Sequence, residues 1–285
     1  MPSIQTGPSP AIDDDDQLVG RILSRREVLA VLGSGAGAAI LAACLPQALT
    51  SPSPSASASG TSTASLSASA EAASASATAA TSVPSCVVVP ELTEGPYYVD
   101  GPMERADIRT DPAGGAAREG VPLALTFVVA RVNGSDCSAF EGAVVDVWHC
   151  DALGEYSGVA GGPGQSDTSD ARWLRGYQVT DANGLASFTT IYPGWYSGRA
   201  VHIHFKIRTN PASNTGTEFT SQLPFEDALS AEVFTSRSPY SEKGAQDITN
   251  DRDSIFSESN GQLTLNLAPD GDGYAATFAI GVQLG

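Results

Sequence analysis

The chain holds only three histidines in 285 residues, and two of them, His202 and His204, stand two apart. They lie in Val201-His202-Ile203-His204-Phe205-Lys206-Ile207, where apolar residues take every second position. On a β-strand, residues two apart project from the same face. The two imidazoles therefore stand side by side, while Val201, Ile203, Phe205 and Ile207 face the other way. Two imidazoles on one face are a ready pair of metal ligands; a surface strand with two solvated histidines is the plain alternative. The segment just upstream favours a site. Gly194 and Gly198 bracket Tyr196, and Arg199 follows three residues before His202. A phenol and a guanidinium thus share one turn with the histidine pair.

A second informative stretch is residues 143–158. Its alternation puts Val145, Val147 and His149 on one strand face and Asp146, Trp148 and Cys150 on the other. The strand runs into a loop that contains Gly154 and carries Tyr156. Taken alone, Tyr156 reads as a packing residue. His149 reads as a core or supporting group rather than a ligand, and Trp148 and Trp195 read as packing.

Together these stretches resemble the intradiol ring-cleavage dioxygenases, the catechol and protocatechuate dioxygenase family. The matching pieces are Glu94-Gly95-Pro96-Tyr97-Tyr98, then Val147 to Ala152 leading to Gly154-Glu155-Tyr156-Ser157, then Arg175-Gly176 and the segment 180–184. Pro193-Gly194-Trp195-Tyr196 and the segment 199–204 complete the set, so that two tyrosines, an arginine and the His-x-His pair follow in the family's order. The resemblance implies a non-haem Fe(III) cofactor bound by Tyr156, Tyr196, His202 and His204. It implies O2-dependent cleavage of a catechol-type ring between its hydroxyls to a muconate-type diacid, with a small aromatic diol and O2 as partners. Arg199 matches the arginine that stabilises negative charge developing on the substrate, and Tyr196 the phenol that accepts a substrate proton. Gln222 matches a glutamine near the O2 side, and Tyr97 and Tyr98 read either as lining the pocket or as strand packing. In two respects the chain departs from the family. Tyr196 and His202 are only six residues apart, which demands a tight turn at Gly198. The family's N-terminal helical region is replaced by a Ser/Ala-rich segment, so its helix-mediated dimer is not implied and the oligomeric state stays open.

The donor set is chemically consistent with that implication. Ferric iron favours anionic oxygen and accepts imidazole, whereas softer ions favour thiolate, and Cys86, Cys137 and Cys150 lie outside the cluster. A ferrous site of two histidines and one carboxylate remains open through Asp146, Asp151 or Glu155. Two other readings of the whole also stand: a lipid-tethered β-sandwich that binds without chemistry, and an iron-binding carrier using the same ligands. Lys206 and Arg208 share the parity of the histidines, which offers either one to a substrate carboxylate.

These side chains need a rigid frame. Short alternating or β-branched runs recur at residues 123–132, 143–150, 174–180, 186–191, 201–208, 263–267 and 275–282, separated by turn clusters such as Asn133-Gly134-Ser135-Asp136. Many short strands with turn signals and almost no helical period predict an all-β fold, a β-sandwich of mainly antiparallel strands with long loops. Residues 181–184, Asp-Ala-Asn-Gly, read as a hairpin turn between two strands. Residues 225–234 read as one short helix, and residues 247–256 as irregular.

The formal net charge of -17 argues against nucleic acid or an anionic membrane surface as a partner. Residues 1–46 read as an export signal: Arg25-Arg26 precede a Gly- and Ala-rich apolar run at 31–45, the pattern of twin-arginine signals. That run is shorter than the ~20 residues needed to span a bilayer. Leu41-Ala42-Ala43-Cys44 resembles a lipobox, which would lipidate Cys44 and tether the protein to the outer face of the cytoplasmic membrane. Ordinary cleavage after the small residues is the other outcome. Residues 47–85, almost wholly Ser, Ala, Thr and Pro from 51 on, cannot bury a core and read as a disordered linker. Residues 86–285 are then the folded, extracytoplasmic domain. Its three cysteines favour one disulfide in an oxidising compartment, with Cys137–Cys150 feasible and Cys86 able to replace either.

Overall fold

The computed structural model describes residues 87–101, 103–162, 165–209, 218–257 and 259–283. The twin-arginine segment, the lipobox-like Cys44, the Ser/Ala-rich linker and Cys86 lie outside the described residues. Among those described, no helix is long and apolar enough to cross a membrane.

The described elements are β1 (Pro122–Asn133), β2 (Asp136–Ala139), β3 (Val144–Trp148), β4 (Ala160–Gly162), β5 (Gln165–Asp167), β6 (Arg175–Val179), β7 (Leu185–Ile191), β8 (His202–Arg208) and β9 (Glu218–Pro224). Helices α1 (Asp227–Ser236) and α2 (Tyr240–Lys243) follow, then β10 (Leu267–Asp270) and β11 (Gly273–Gln283). One sheet runs β10-β11-β1-β2, with β7 also on β1; a second, wholly antiparallel, runs β6-β3-β8-β9; β4 and β5 form a small hairpin. The pairing of β1 with β11 is parallel. The twelve-residue β1 is long enough to pair β7 along its first half and β2 along its end.

The two sheets meet through aromatic rings. Phe127 of β1 lies 5.2 Å from Phe205 of β8, and Phe278 of β11 lies 5.6 Å from the same ring. Odd-numbered residues of β8 therefore enter the sandwich core, where Ile203, Phe205 and Ile207 are buried. His202, His204, Lys206 and Arg208 take the opposite face, and that face is buried too. Loops cover it, so β8 has no solvent side. Residues 103–108 lace the layers together: Arg105 N–H donates to the Tyr177 carbonyl of β6, and Ile108 N–H to the Thr189 carbonyl of β7.

Most of the expected strands form, and the helix at 225–234 and the irregular 247–256 stand as read. Three expectations need correction. Residues 263–267 form no strand of their own: Leu265 makes an isolated bridge to Phe225, and β10 begins only at Leu267. The 181–184 turn exists, with Asp181 Oδ1 accepting from Asn183 N–H and Leu185 N–H. It is not a hairpin, however, because β6 and β7 belong to different sheets. The turn chemistry fixes a chain reversal, but β6 pairs with β3 and β7 with β1, so the reversal becomes an arch between layers. Finally, Cys150 is free and buried, which excludes the Cys137–Cys150 pair. Cys137 is disulfide-bonded, and its partner lies outside the described residues.

Candidate metal centre

The site lies on the outer face of the β6-β3-β8-β9 sheet. Two strands present the histidines: β8 carries them, and β3 backs one, since Trp148 sits opposite His204 and stacks on it at 5.0 Å and 9°. His202 Nδ1–H donates to the Ala200 carbonyl at 2.6 Å. A carbonyl can only accept, so Nε2 of the neutral ring carries the lone pair. That nitrogen faces His204 Nε2 at 3.0 Å and Tyr196 Oη at 3.3 Å. His204 Nδ1 is buried with no hydrogen-bond partner, so only the Nε2 end of that ring is engaged.

Tyr196 reaches His202 across the short link. Gly198, at φ +89°, supplies the left-handed residue, and Arg199 N–H closes the turn on the Tyr196 carbonyl at 3.3 Å. Tyr156 arrives from the β3–β4 loop, fully buried, and its ring lies edge-on to that of Tyr196 at 5.6 Å. Asp151 organises that loop. Its carboxylate Oδ1 accepts from Leu153 N–H and Glu155 N–H, and its carbonyl accepts from Gly154 N–H and Gly194 N–H. One residue thus joins the Tyr156 loop to the Tyr196 loop. From below, Arg175 donates to Ser157 Oγ at 2.9 Å, to the Ser157 carbonyl and to the Tyr97 carbonyl at 2.8 Å. Arg175 had no role on sequence grounds, although its motif was visible.

The strap at residues 92–98 crosses over the histidines. Leu92 N–H donates to the Thr220 carbonyl of β9, and Gln222 Nε2 donates to the Thr93 carbonyl at 2.7 Å. Gly95 then passes so near His204 that a Cβ there would lie 3.2 Å from Cε1, with φ at +72°. Tyr97 follows and stacks on Tyr156 at 4.3 Å, with Tyr196 edge-on at 6.0 Å. Tyr97 is therefore a wall of the site. Tyr98 is not brought to the donors: its ring packs on Trp148 and under the Lys206 ammonium, one ring removed from His204.

Arg199 and Gln222 are brought together. Arg199 Nη2 donates to Gln222 Oε1 at 2.6 Å, and Arg199 Nε donates to Asp253 Oδ2 at 2.9 Å. Gln222 is fully buried and sits directly opposite His204 in the sheet. Lys206 and Arg208 do not meet a substrate carboxylate, contrary to their strand parity. Lys206 is paired with Glu94 and Glu218, and Arg208 grips Asp146 at 2.7 and 2.9 Å. His149 is a satisfied core group, held between the Cys150 carbonyl and Thr190 Oγ1 at 2.7 Å each.

The electrostatics suit a metal. Burial, with the Arg199 charge close by, holds both His202 and His204 well below the usual histidine range, so both imidazoles are neutral. Burial pushes the phenols of Tyr156 and Tyr196 above their usual value, and Arg199 opposes that rise. Tyr196 Oη, His202 Nε2 and His204 Nε2 form a chain of close contacts, and the buried Tyr156 ring lies beside it against Tyr196. Two phenols and two imidazoles converging in this way fit a hard trivalent cation such as Fe(III). Among the described residues, no group of three or more His, Cys, Asp and Glu is placed to hold a metal. Asp146 and Asp151 are engaged elsewhere, as is Glu155, which accepts from Ser166. A two-histidine, one-carboxylate site is therefore not formed.

Comparison with known proteins agrees. A family model described as Dioxygenase matches residues 93–238. The solved structure of an intradiol ring-cleavage dioxygenase from Tetranychus urticae is 30% identical, with a TM-score of 0.59, over 70% of this chain and 95% of that one. The chain belongs to the intradiol ring-cleavage dioxygenase family. As a member of this family it has relatives that are generally dependent on non-haem iron. Catechol 1,2-dioxygenase 1 of Acinetobacter lwoffii is 29% identical over 153 residues, 46% of this chain and 45% of that protein. Chlorocatechol 1,2-dioxygenase of Pseudomonas sp. (strain P51) is 26% identical over 145 residues, 44% of this chain and 53% of that protein. This intradiol family member thus spans about half the length of the curated relatives it matches.

Proposed function

We propose that this chain binds a non-haem ferric ion through Tyr156, Tyr196, His202 and His204 and cleaves a catechol-type ring between its two hydroxyls with O2, giving a muconate-type diacid. The observation that carries this reading is the cluster of two phenols and two imidazoles, Tyr196 and the histidines in contact and the Tyr156 ring packed against them, with no carboxylate or thiolate among them. The similarity to a catechol 1,2-dioxygenase and a chlorocatechol 1,2-dioxygenase supports the substrate class.

When bound, the ferric ion supplies a Lewis acid and a template for the diol. The chain's own residues do the rest. With the ion bound, Tyr196 would be held as a phenolate; because burial disfavours a free phenolate there, on release it would take the proton of an incoming hydroxyl and become a neutral phenol. Arg199 offers a fixed positive charge beside that phenol, where negative charge develops on the ring. Gln222 orients Arg199, with its amide oxygen facing the guanidinium and its amide nitrogen held by Thr93. Tyr97, Trp148 and Phe256 surround the donors with rings and keep water away.

The same reading places the domain outside the cytoplasm, tethered through Cys44, on the strength of the twin-arginine and lipobox-like patterns alone. Fractionation of expressing cells, with Cys44→Ala as control, tests that part. Colour and oxygen uptake test the rest. Iron-loaded protein should absorb visible light through phenolate bound to Fe(III), and catechol should then drive O2 consumption. Colourless protein in the presence of iron would sink the four-ligand assignment. A colour change with catechol but no oxygen uptake would leave a carrier.

A further inference from the structure

We propose that Asp253 is a positioning residue for this site, fixing Arg199 directly and His202 through Ala200. The inference rests on the ring-cleavage reading for its consequence but not for its geometry. Asp253 comes from the irregular segment between α2 and β10, more than fifty residues after the arginine, and its side chain has no solvent exposure. Its Oδ2 accepts from Arg199 Nε at 2.9 Å and from Ala200 N–H at 2.8 Å. Its Oδ1 accepts from Ile255 N–H at 2.9 Å, so the carboxylate cannot swing away. Ala200 passes the constraint on: its carbonyl accepts from His202 Nδ1–H, the bond that fixes which nitrogen faces the donors. One buried carboxylate thus sets both the orientation of the guanidinium and the tautomer of a proposed ligand.

The same turn adds a second contact. Phe256, three residues on, lies 5.1 Å from the Arg199 guanidinium carbon and 5.6 Å from the His202 ring. Arg199 is only 14% exposed, so its charge needs a buried counter-charge, and Asp253 is the carboxylate in contact with it. Because Nε is taken by Asp253 and Nη2 by Gln222, the guanidinium plane is held at two corners. That fixed plane, rather than the mere presence of a cation, is what a developing charge can use without reorganisation. Asp253 touches neither substrate nor donor atoms and acts through the residues that do.

The test compares Asp253→Asn with the parent in two ways. In metal-free protein, Arg199 is labelled with phenylglyoxal and quantified by peptide mass. Loss of a charged hydrogen bond should speed that labelling by about tenfold or more, and an unchanged rate would overturn the proposal. In iron-loaded protein, Arg199→Gln, Asp253→Asn and the double variant are compared for kcat/KM with catechol. Because Asp253 acts partly through Arg199, Asp253→Asn should cost less in the Arg199→Gln background than in the parent, what remains being the His202 arm; losses that multiply in full would assign Asp253 a merely structural role and overturn the proposal. Should Asp253→Asn fail to fold, Asp253→Glu retains the charge one methylene displaced, and the same labelling should still rise above the parent's. If the parent itself leaves catechol untouched, the ring-cleavage reading falls, while the labelling comparison still decides the role of Asp253.

Discussion

Ferric-ion binding should tighten steeply with pH, and the steepness counts the phenols. Of the four proposed donors, His202 and His204 are already neutral above about pH 6.5, because burial and the nearby Arg199 hold their protons off. They release nothing on binding. Tyr156 and Tyr196 are protonated throughout the neutral range, because burial raises both phenols above their ordinary value. Each must lose its proton to become an anionic ligand. Two protons per iron imply that log K rises by about two per pH unit, or roughly 2.7 kcal/mol of binding free energy per unit. Competition against nitrilotriacetate between pH 6.5 and 8.5, followed by the phenolate–iron absorption and corrected for the chelator's own protons, measures that slope. Tyr196→Phe should halve it. A slope near zero in the parent would refute the reasoning, since that is what a site of ionised carboxylates and neutral imidazoles would give.

Acid should weaken the fold through His149. Burial, opposed by the hydrogen bond to Cys150, lowers its pKa to about 4; the unfolded chain then binds more protons between 4 and 6.5, so stability falls as pH drops through that window. At pH 5 this group alone should cost about 2 kcal/mol relative to pH 8, and urea unfolding of His149→Gln should show a correspondingly flatter pH profile. Gly95→Ala should lose roughly 1–2 kcal/mol from its left-handed backbone and also weaken iron binding, because its Cβ presses on His204; unchanged iron affinity in a folded variant would contradict the role of the strap. Arg208→Met should cost about 3–5 kcal/mol by stranding the buried Asp146 carboxylate, and Asp146→Asn in the same chain should recover much of that loss in thermal unfolding.

The legible part of the site was the part written into a local period. Alternation at 201–207 announced β8 because its odd positions meet the phenylalanines of the other sheet. The even positions looked like a solvent face only because the strap and loops that bury them come from residues 92–98 and 151–156. Tyr156 could be joined to the histidines through the family motif, not through any spacing. Asp253 and Arg175 were passed over for the same physical reason. Arg175 opens β6 and Asp253 lies in an irregular segment, yet each acts across 18 to 78 residues by hydrogen bonds to loop residues, and loops carry no period to read. Strand parity placed Lys206 and Arg208 on the correct face, yet their partners Glu94, Glu218 and Asp146 were set by pairing and strap geometry that parity does not contain.

Those pairings constrain what the proposed site can recognise. Among the described residues close to the donors, Lys206 and Arg208 are tied to carboxylates, and Arg175 is turned to the backbone of Ser157 and Tyr97. Arg199 faces the phenols, but its Nε and one terminal nitrogen are occupied. A ring bearing its own carboxylate would find no unengaged ammonium or guanidinium on the histidine strand and would meet Glu94 and Asp146 in the same layer. A diol without a charged substituent needs none of these cations. On this argument 3,4-dihydroxybenzoate should gain nothing over catechol in kcat/KM, and adding salt should not widen the gap in favour of catechol, because screening relieves repulsion. A clear preference for the carboxylated ring that fades with salt would mean that one of these ion pairs opens to receive it.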